Sequence, residues 1–439
     1  MRRLEGPRAA ILMTGGANGG LAILTFATGT LAARLLGPVG RGELAAIQAW
    51  PMFISSVAML GMSEATIYFG ARDPSCAGSY LASAISIASI GCLPILIAGF
   101  AAMPWLLAAQ RPEIVTASRW YLATALLYLW VGVPHSALRA LRSYRAWNLV
   151  RMFPSIVWLL VLCFAWSIGR ARPTFVANMY IAGFAILCLP PVFYLVALKV
   201  AGPFRPHMAQ WWAMLRFGIP SMAGGVPQML NLRFDQMLMA GLLSAQPLGL
   251  YAVAVAWSSM VPMALQSFAS ILFPELASRT DYASQVRAFT AALRVGGLLS
   301  ALLAVACCIV TPYVLPIVFG DAFAASVRPA MVLIGAGAVL GVGQLLEAGL
   351  RGLGHPMDVA LSELLGLLVT LITLFLLLRP MGIMGAAIAS LLGYSGVLVS
   401  LMLMMRRRTG QSIRTIVIPK LSEFKKPVAA RQLGGAAGS

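Results

Sequence analysis

The chain has 439 residues, 60% of them hydrophobic and 10% charged, with a mean hydropathy of +0.86. Soluble domains carry roughly 25% charged residues, so this much apolar surface cannot be hidden in one aqueous core, and the composition specifies an integral membrane protein. Lys and Arg outnumber Asp and Glu by 32 to 13, but the basic residues lie in short loops between apolar runs, which points to membrane-flanking loops and not to a nucleic acid partner.

A crossing helix needs about 20 apolar residues. Twelve such runs are predicted, at 11–34, 44–70, 79–108, 117–138, 148–169, 175–199, 215–243, 249–277, 288–318, 327–350, 358–379 and 383–405. The first is long and followed by many more, so it reads as a span and not as a removable signal peptide. Prolines inside spans, among them Pro51, Pro94, Pro134, Pro154, Pro220, Pro227 and Pro262, suggest bent helices around a cavity. Cys92, Cys163, Cys188, Cys307 and Cys308 sit in apolar runs and Cys76 in a short loop, with no metal-binding spacing. They read as small buried hydrophobes, and no metal or cofactor is expected.

With the N-terminus inside, inner segments hold 23 Lys and Arg and outer segments hold 8, the latter being Arg34, Arg41, Arg111, Arg119, Arg170, Arg172, Arg328 and Arg379. This bias places both termini in the cytoplasm. "RPHMAQWWAMLRFG", Arg205 to Gly218, pairs Trp with basic residues and reads as an interfacial segment joining two lobes. The tail after Met405 is basic, then small and flexible, and is expected to lie near anionic lipid.

The chain repeats itself. Leu35–Arg72 and Leu242–Arg279 align over 38 residues without a gap, matching Gly42 with Gly249, Ala49 with Ala256 and Trp50 with Trp257 at a shift of 207. "ALRAL" at Ala137 and "GLRGL" at Gly349 match at a shift of 212. Two matches at nearly one offset argue for a duplicated six-span unit. Six is even, so the halves share orientation and pack about an axis normal to the membrane, with the substrate path between them. The expected organisation is an N-terminal lobe over 1–200, a linker over 201–214, a C-terminal lobe over 215–405 and a tail over 406–439.

The first span of the second half carries Gln228, Asn231, Arg233 and Asp235. At about 100° per residue, Gln228, Asn231 and Asp235 form one polar stripe and Arg233 points elsewhere. An ionisable group at the bilayer centre costs roughly 2.5–3.5 kcal/mol on insertion scales. The stripe is therefore expected to line a hydrated cleft, the alternative being hydrogen-bonded glue between helices.

"LAARLLGPVGRGELAAIQAWPMFISSVAMLGMSEATIYFGAR" and "RFDQMLMAGLLSAQPLGLYAVA" resemble the polysaccharide-export branch of the MOP (multidrug/oligosaccharidyl-lipid/polysaccharide) superfamily, the Wzx-like flippases. The resemblance implies an all-α fold of two six-helix bundles forming a V. It also implies alternating access for an undecaprenyl-diphosphate-linked glycan, a bacterial cytoplasmic membrane location and no enzymatic activity. The lipid-linked glycan, membrane lipids and a coupling cation, H+ or Na+, are the expected partners.

The diphosphate of such a substrate needs cations, and Arg offers a planar fork for it. Arg139, Arg142, Arg145 and Arg351, on loops after spans four and ten, are the expected binders at the inner mouth, with positive-inside anchoring as the alternative. Arg34 ends span one and is expected to close the outer side or to snorkel there. Gln228 and Asn231 are expected to contact substrate. Glu64 and Asp235 are the expected coupling sites, whereas Glu275–Arg279 and Glu347–Arg351 are spaced as ion pairs. His135 reads as a satisfied helix contact.

A cation-coupled multidrug antiporter of the same superfamily is the main rival, and would carry acids clustered in one lobe and fewer mouth arginines. A lipid II flippase is a further alternative, although those usually have fourteen spans. Ligases and polymerases of lipid-linked glycans need a long outer loop with catalytic Arg and His, which is missing here. Asp73, Asp281 and Asp321 stand singly, which argues against a glycosyltransferase, and a scaffold would not need charges in the cleft.

Overall fold

The computed structural model describes residues 7–266 and 282–410, and all regular structure among them is helical. The helices are α1 (Pro7–Ala58), α2 (Met62–Arg72), α3 (Ala77–Leu106), α4 (Pro112–Tyr121), α5 (Ala123–Ala140) and α6 (Tyr144–Ser167). They continue with α7 (Pro173–Lys199), α8 (Met208–Leu242), α9 (Ala245–Ser258), α10 (Tyr282–Phe319), α11 (Val327–Gly352) and α12 (Pro356–Thr409). A chain this apolar has little choice, because only a helix satisfies its own backbone groups in lipid.

Nine stretches among the described residues are long and apolar enough to cross a membrane. Two of them, Met13–Arg72 and Pro356–Thr409, have 60 and 54 residues, against the roughly 20 that one crossing needs. Each is broken by a glycine at positive φ, Gly37 (65°) in α1 and Gly382 (55°) in α12, and both breaks fall in loops expected between spans. A second break was not foreseen. Leu60 (φ 51°) and Gly61 (φ 68°) interrupt the run expected at 44–70 and set α2 apart from α1.

Helix α8 begins at Met208, seven residues before the expected start, and is not among the nine apolar stretches. Its first turns pack on α2 and α3. Phe217 stacks on Tyr68 at 4.3 Å, and Gln210 Oε1 accepts from Ser79 and Ser83 at 3.2 and 3.1 Å. Its later turns pack on α12. The helix therefore bridges the two halves, where a separate linker was expected. The end of span eight, the Glu275–Arg279 pair and the tail from 411 lie outside the described residues.

At the end of the bundle marked by Gly37, α1 packs along α9 through the glycine pair of the repeat. A Cβ on Gly42 would lie 1.7 Å from the Ala245 carbonyl oxygen, and one on Gly249 would lie 1.9 Å from the Pro38 oxygen. The contact is reciprocal, since 38 and 245 differ by 207, as do 42 and 249. A self-complementary contact of this kind is what two like-oriented halves make at a two-fold axis.

The flanking contacts repeat the rule. Arg34 donates through Nε to the Val318 oxygen at 2.8 Å and through Nη2 to the Ile317 oxygen at 2.5 Å, capping the end of α10. Gly241, 207 positions after Arg34, meets the end of α3, where its Cβ would lie 2.7 Å from the Leu106 oxygen. Gln110 Nε2 adds bonds of 2.8 Å to the Ala240 and Leu243 oxygens. This end is closed.

Overpacking a tight contact costs about 1–3 kcal/mol. Gly42→Ala and Gly249→Ala are therefore each expected to lower the melting temperature in detergent or to open the Gly37 end. A thiol reagent acting on a cysteine at Leu36 checks the second outcome, and unchanged stability with unchanged labelling would show that the contact is slack.

Candidate functional site

Below the closed end a cavity of about 640 Å³ lies between the two halves. Helices α1, α4, α5, α6 and α7 supply one wall, and α8, α9, α11 and α12 the other. The first wall is rich in rings. Tyr180 lies over Tyr121 at 6.2 Å and 18°, and Trp158 stands edge-on to Tyr180 at 4.8 Å and 90°. Tyr128 and Tyr180 share a hydrogen bond of 2.9 Å between hydroxyls, and Gln48 Nε2 donates to Tyr121 Oη at 3.2 Å. The opposite wall mixes apolar residues with polar ones, among them Gln236, Ser259 and Gln344.

Among the described residues, two arginines reach this cavity, Arg41 from α1 and Arg233 from α8. Arg41 Nε is buried and has no hydrogen-bond partner. Asp235 is the carboxylate at the cavity wall among the described residues, and it is already engaged, accepting from Tyr251 at 2.5 Å and Ser390 at 3.2 Å. Two guanidiniums against one occupied carboxylate leave the space electropositive, and it sits in a medium that screens charge weakly.

The polar stripe of α8 turns the other way from the expectation. Gln228 Nε2 donates to Glu347 Oε2 at 2.8 Å. Asn231 Nδ2 donates to Glu363 Oε2 at 3.3 Å, and its Oδ1 accepts from Thr370 at 2.7 Å. Neither Gln228 nor Asn231 lines the cavity. The stripe is glue to α11 and α12, and its burial follows from having partners there. Residues 233 and 236, three apart, share the opposite face, so Arg233 enters the cavity. Asp235, the third member of the stripe, lines the cavity and bonds instead to Tyr251 and Ser390.

The mouth arginines do not gather at the cavity. Arg139 is exposed, 5.7 Å from the Trp147 ring, and Arg142 and Arg145 are exposed around the α5–α6 turn. Arg351 pairs with Glu347 at 3.1 Å, as its spacing suggested. Arg34 is a clasp at the closed end and makes no part of the cavity lining. Glu64 is exposed in the first turn of α2, because the Leu60–Gly61 break lifts it out of the expected continuous span. His135 Nε2 bonds to the Trp147 oxygen at 2.9 Å and its ring stacks on Trp147, the satisfied contact that was expected.

Two acids of the second half come together. Glu347 and Glu363 are brought side by side by Gln228 and Asn231, one turn apart on α8, with Arg351 on the far side of Glu347. Sequence reasoning missed this pair, because the two residues lie on separate helices and Glu347 had a nearer partner in Arg351. It also assigned Arg41 to an outer loop. The available signal was its place next to Gly42, the glycine of the repeat.

No curated protein matches the chain. Among solved structures, it is similar to the inward-facing conformation of a multidrug resistance MATE family transporter of the MOP superfamily, with TM-score 0.72, 15% identity, and 92% of this chain and 98% of that chain covered. It is similar to the lipid II flippase MurJ in an inward closed conformation, with TM-score 0.75, 13% identity, and coverage of 92% and 89%. The outward-facing conformation of a MATE family transporter matches with TM-score 0.57, 18% identity, and coverage of 94% and 97%. These likenesses establish the fold. The model of the polysaccharide biosynthesis protein family matches residues 31–328. The chain thus belongs to the polysaccharide biosynthesis protein family, on a multi-pass helical fold like that of these MATE family and MurJ structures.

Proposed function

We propose that the chain is a flippase that carries a polyprenyl-diphosphate-linked glycan, of the undecaprenyl type, across a bacterial cytoplasmic membrane. It would do so by alternating access through the cavity between two six-helix lobes, with twelve crossings and cytoplasmic termini. The observation that carries this reading is the presence of Arg41 and Arg233 in the cavity, with Arg41 Nε unpartnered. A buried guanidinium without an acceptor is costly, and a diphosphate supplies acceptors in the geometry its fork prefers. The polyprenyl tail can remain in lipid. Greater similarity to inward-facing and inward closed structures than to an outward-facing one supports assigning the Gly37 end to the outer side.

The Glu347–Glu363 pair favours a second element, coupling to a cation. Two buried carboxyl groups held side by side by Gln228 and Asn231 can take up and release H+, or exchange it for Na+, as α8, α11 and α12 move. Acids clustered in one half are also what the multidrug-antiporter reading expects. They face the interior of that half, however, while the cavity itself is cationic and would repel a cationic drug. The acids therefore suit coupling better than cargo binding. This shifts the coupling role from Glu64 to Glu347 and Glu363, with Asp235 beside them. Arg139, Arg142, Arg145 and Arg351 then act as positive-inside anchors.

In proteoliposomes loaded with undecaprenyl diphosphate glycan, Arg41→Ala and Arg233→Ala should each reduce flipping at least about tenfold, the equivalent of one charge-assisted hydrogen bond of ~1.4 kcal/mol or more. Lys at either site should restore it partly. Cysteines at 233 and 236 should react with a small polar thiol reagent, and one at 231 should not. Full flipping by the double Ala variant, or efflux of organic cations instead, would overturn the reading.

Glu363→Gln and Glu347→Gln should abolish the response of flipping to an imposed H+ or Na+ gradient while lipid binding persists. An unchanged gradient response in both variants would remove the pair from coupling.

A further inference from the structure

We infer that the cavity holds the sugar next to the diphosphate between its two walls, with Trp158 and Gln344 as specificity-determining residues. The inference rests on the flippase reading and names the part of the substrate that these residues select.

Among the described residues, three buried polar atoms on cavity-lining side chains lack hydrogen-bond partners: Arg41 Nε, Gln236 Nε2 and Gln344 Oε1. Two are donors and one is an acceptor. An ionised diphosphate only accepts, so it can serve Arg41 and leaves the need for an acceptor and a donor unmet at the amides. A hydroxyl group both donates and accepts, and it suits each amide whichever way round its oxygen and nitrogen are turned. A ligand carrying several hydroxyls beside a diphosphate answers all three atoms.

The facing wall has complementary chemistry. Tyr121, Tyr128, Trp158 and Tyr180 are held to one another by ring contacts and by the Tyr128–Tyr180 hydroxyl bond. Their rings are therefore set in place before any ligand arrives. Trp158 is half-buried and lines the cavity, offering it a fixed apolar surface. Tyr121 Oη accepts from Gln48 and keeps its own hydrogen for another partner. A pyranose has an apolar C–H face and a rim of hydroxyls. One such ring placed between the walls can turn its face to Trp158 and its rim to Gln236 and Gln344, with its anomeric diphosphate directed at Arg41 and Arg233. A few convergent polar groups opposite a rigid aromatic surface fix orientation as well as affinity. An organic cation could use the rings but would meet two guanidiniums.

The test uses the full chain in lipid nanodiscs and two probes, undecaprenyl diphosphate and undecaprenyl diphosphate bearing one N-acetylglucosamine or one galactose. The glycosylated lipid should bind about tenfold more tightly, the increment of one or two net hydrogen bonds. Trp158→Leu and Gln344→Met should each remove most of that gap by weakening the glycosylated lipid more than the bare one, and a melting temperature in detergent close to the parent's shows that the variant is folded. Trp158→Phe should keep most of the gap. Arg41→Ala should weaken both lipids alike. Equal binding of the bare and glycosylated lipids by the parent chain, or variants that weaken both probes equally, would overturn the sugar site and leave the flippase reading standing. Binding of neither lipid by the parent chain would overturn both.

Discussion

The backbone contact between Gly42 and Gly249 is the constraint on which the rest depends. No side chain fits there, so α1 and α9 meet carbonyl to Cα, and the ends of α3, α8 and α10 are drawn in beside them. Because the two glycines are equivalent in the repeat, the contact lies on the axis that relates the halves. The cavity exists because the chain is joined at this end and separates below it. Arg34 and Gln110 then satisfy carbonyls that helix ends leave open. An alternating-access cycle would have to break all of these together, and the small size of each bond makes that feasible at a cost of a few kcal/mol.

A second constraint acts through α8. Gln228 and Asn231 find Glu347, Glu363 and Thr370 on α11 and α12. Interhelical hydrogen bonds in membranes average only about 0.6 kcal/mol, so these bonds do little to drive assembly. Their effect is rotational. Leaving the same groups in lipid would cost far more, so the helix must turn this face inward, and the opposite face, with Arg233 and Gln236, is delivered to the cavity. The network that looked like a cavity lining is what positions the cavity wall. It also places a carboxyl pair within reach of three helices, which ties the state of that pair to their packing.

Much was legible without coordinates. Composition and the length of apolar runs decided the class, because lipid admits only self-satisfied backbone and a helix needs about twenty residues to cross it. Gly37 and Gly382 fall where the runs were divided, since a residue at positive φ ends a helix wherever it stands. The 207-residue repeat was visible in the chain, and the structure turns it into a reciprocal contact.

What the sequence could not settle was direction around a helix axis. A stripe such as Gln228–Asn231–Asp235 is equally stable facing water or facing polar neighbours, and the neighbours lie more than a hundred positions away. Arg41 was placed in a loop because run lengths do not show that α1 resumes as helix directly after Gly37. Glu64 was placed deep because a break at Leu60, a residue that rarely takes positive φ, leaves no trace in hydropathy. The Glu347–Glu363 pair and the facing aromatic and amide walls likewise arise from helices remote in sequence. Class, repeat and helix ends are local consequences of lipid and backbone chemistry, whereas the site is made by which faces the packed helices turn toward one another.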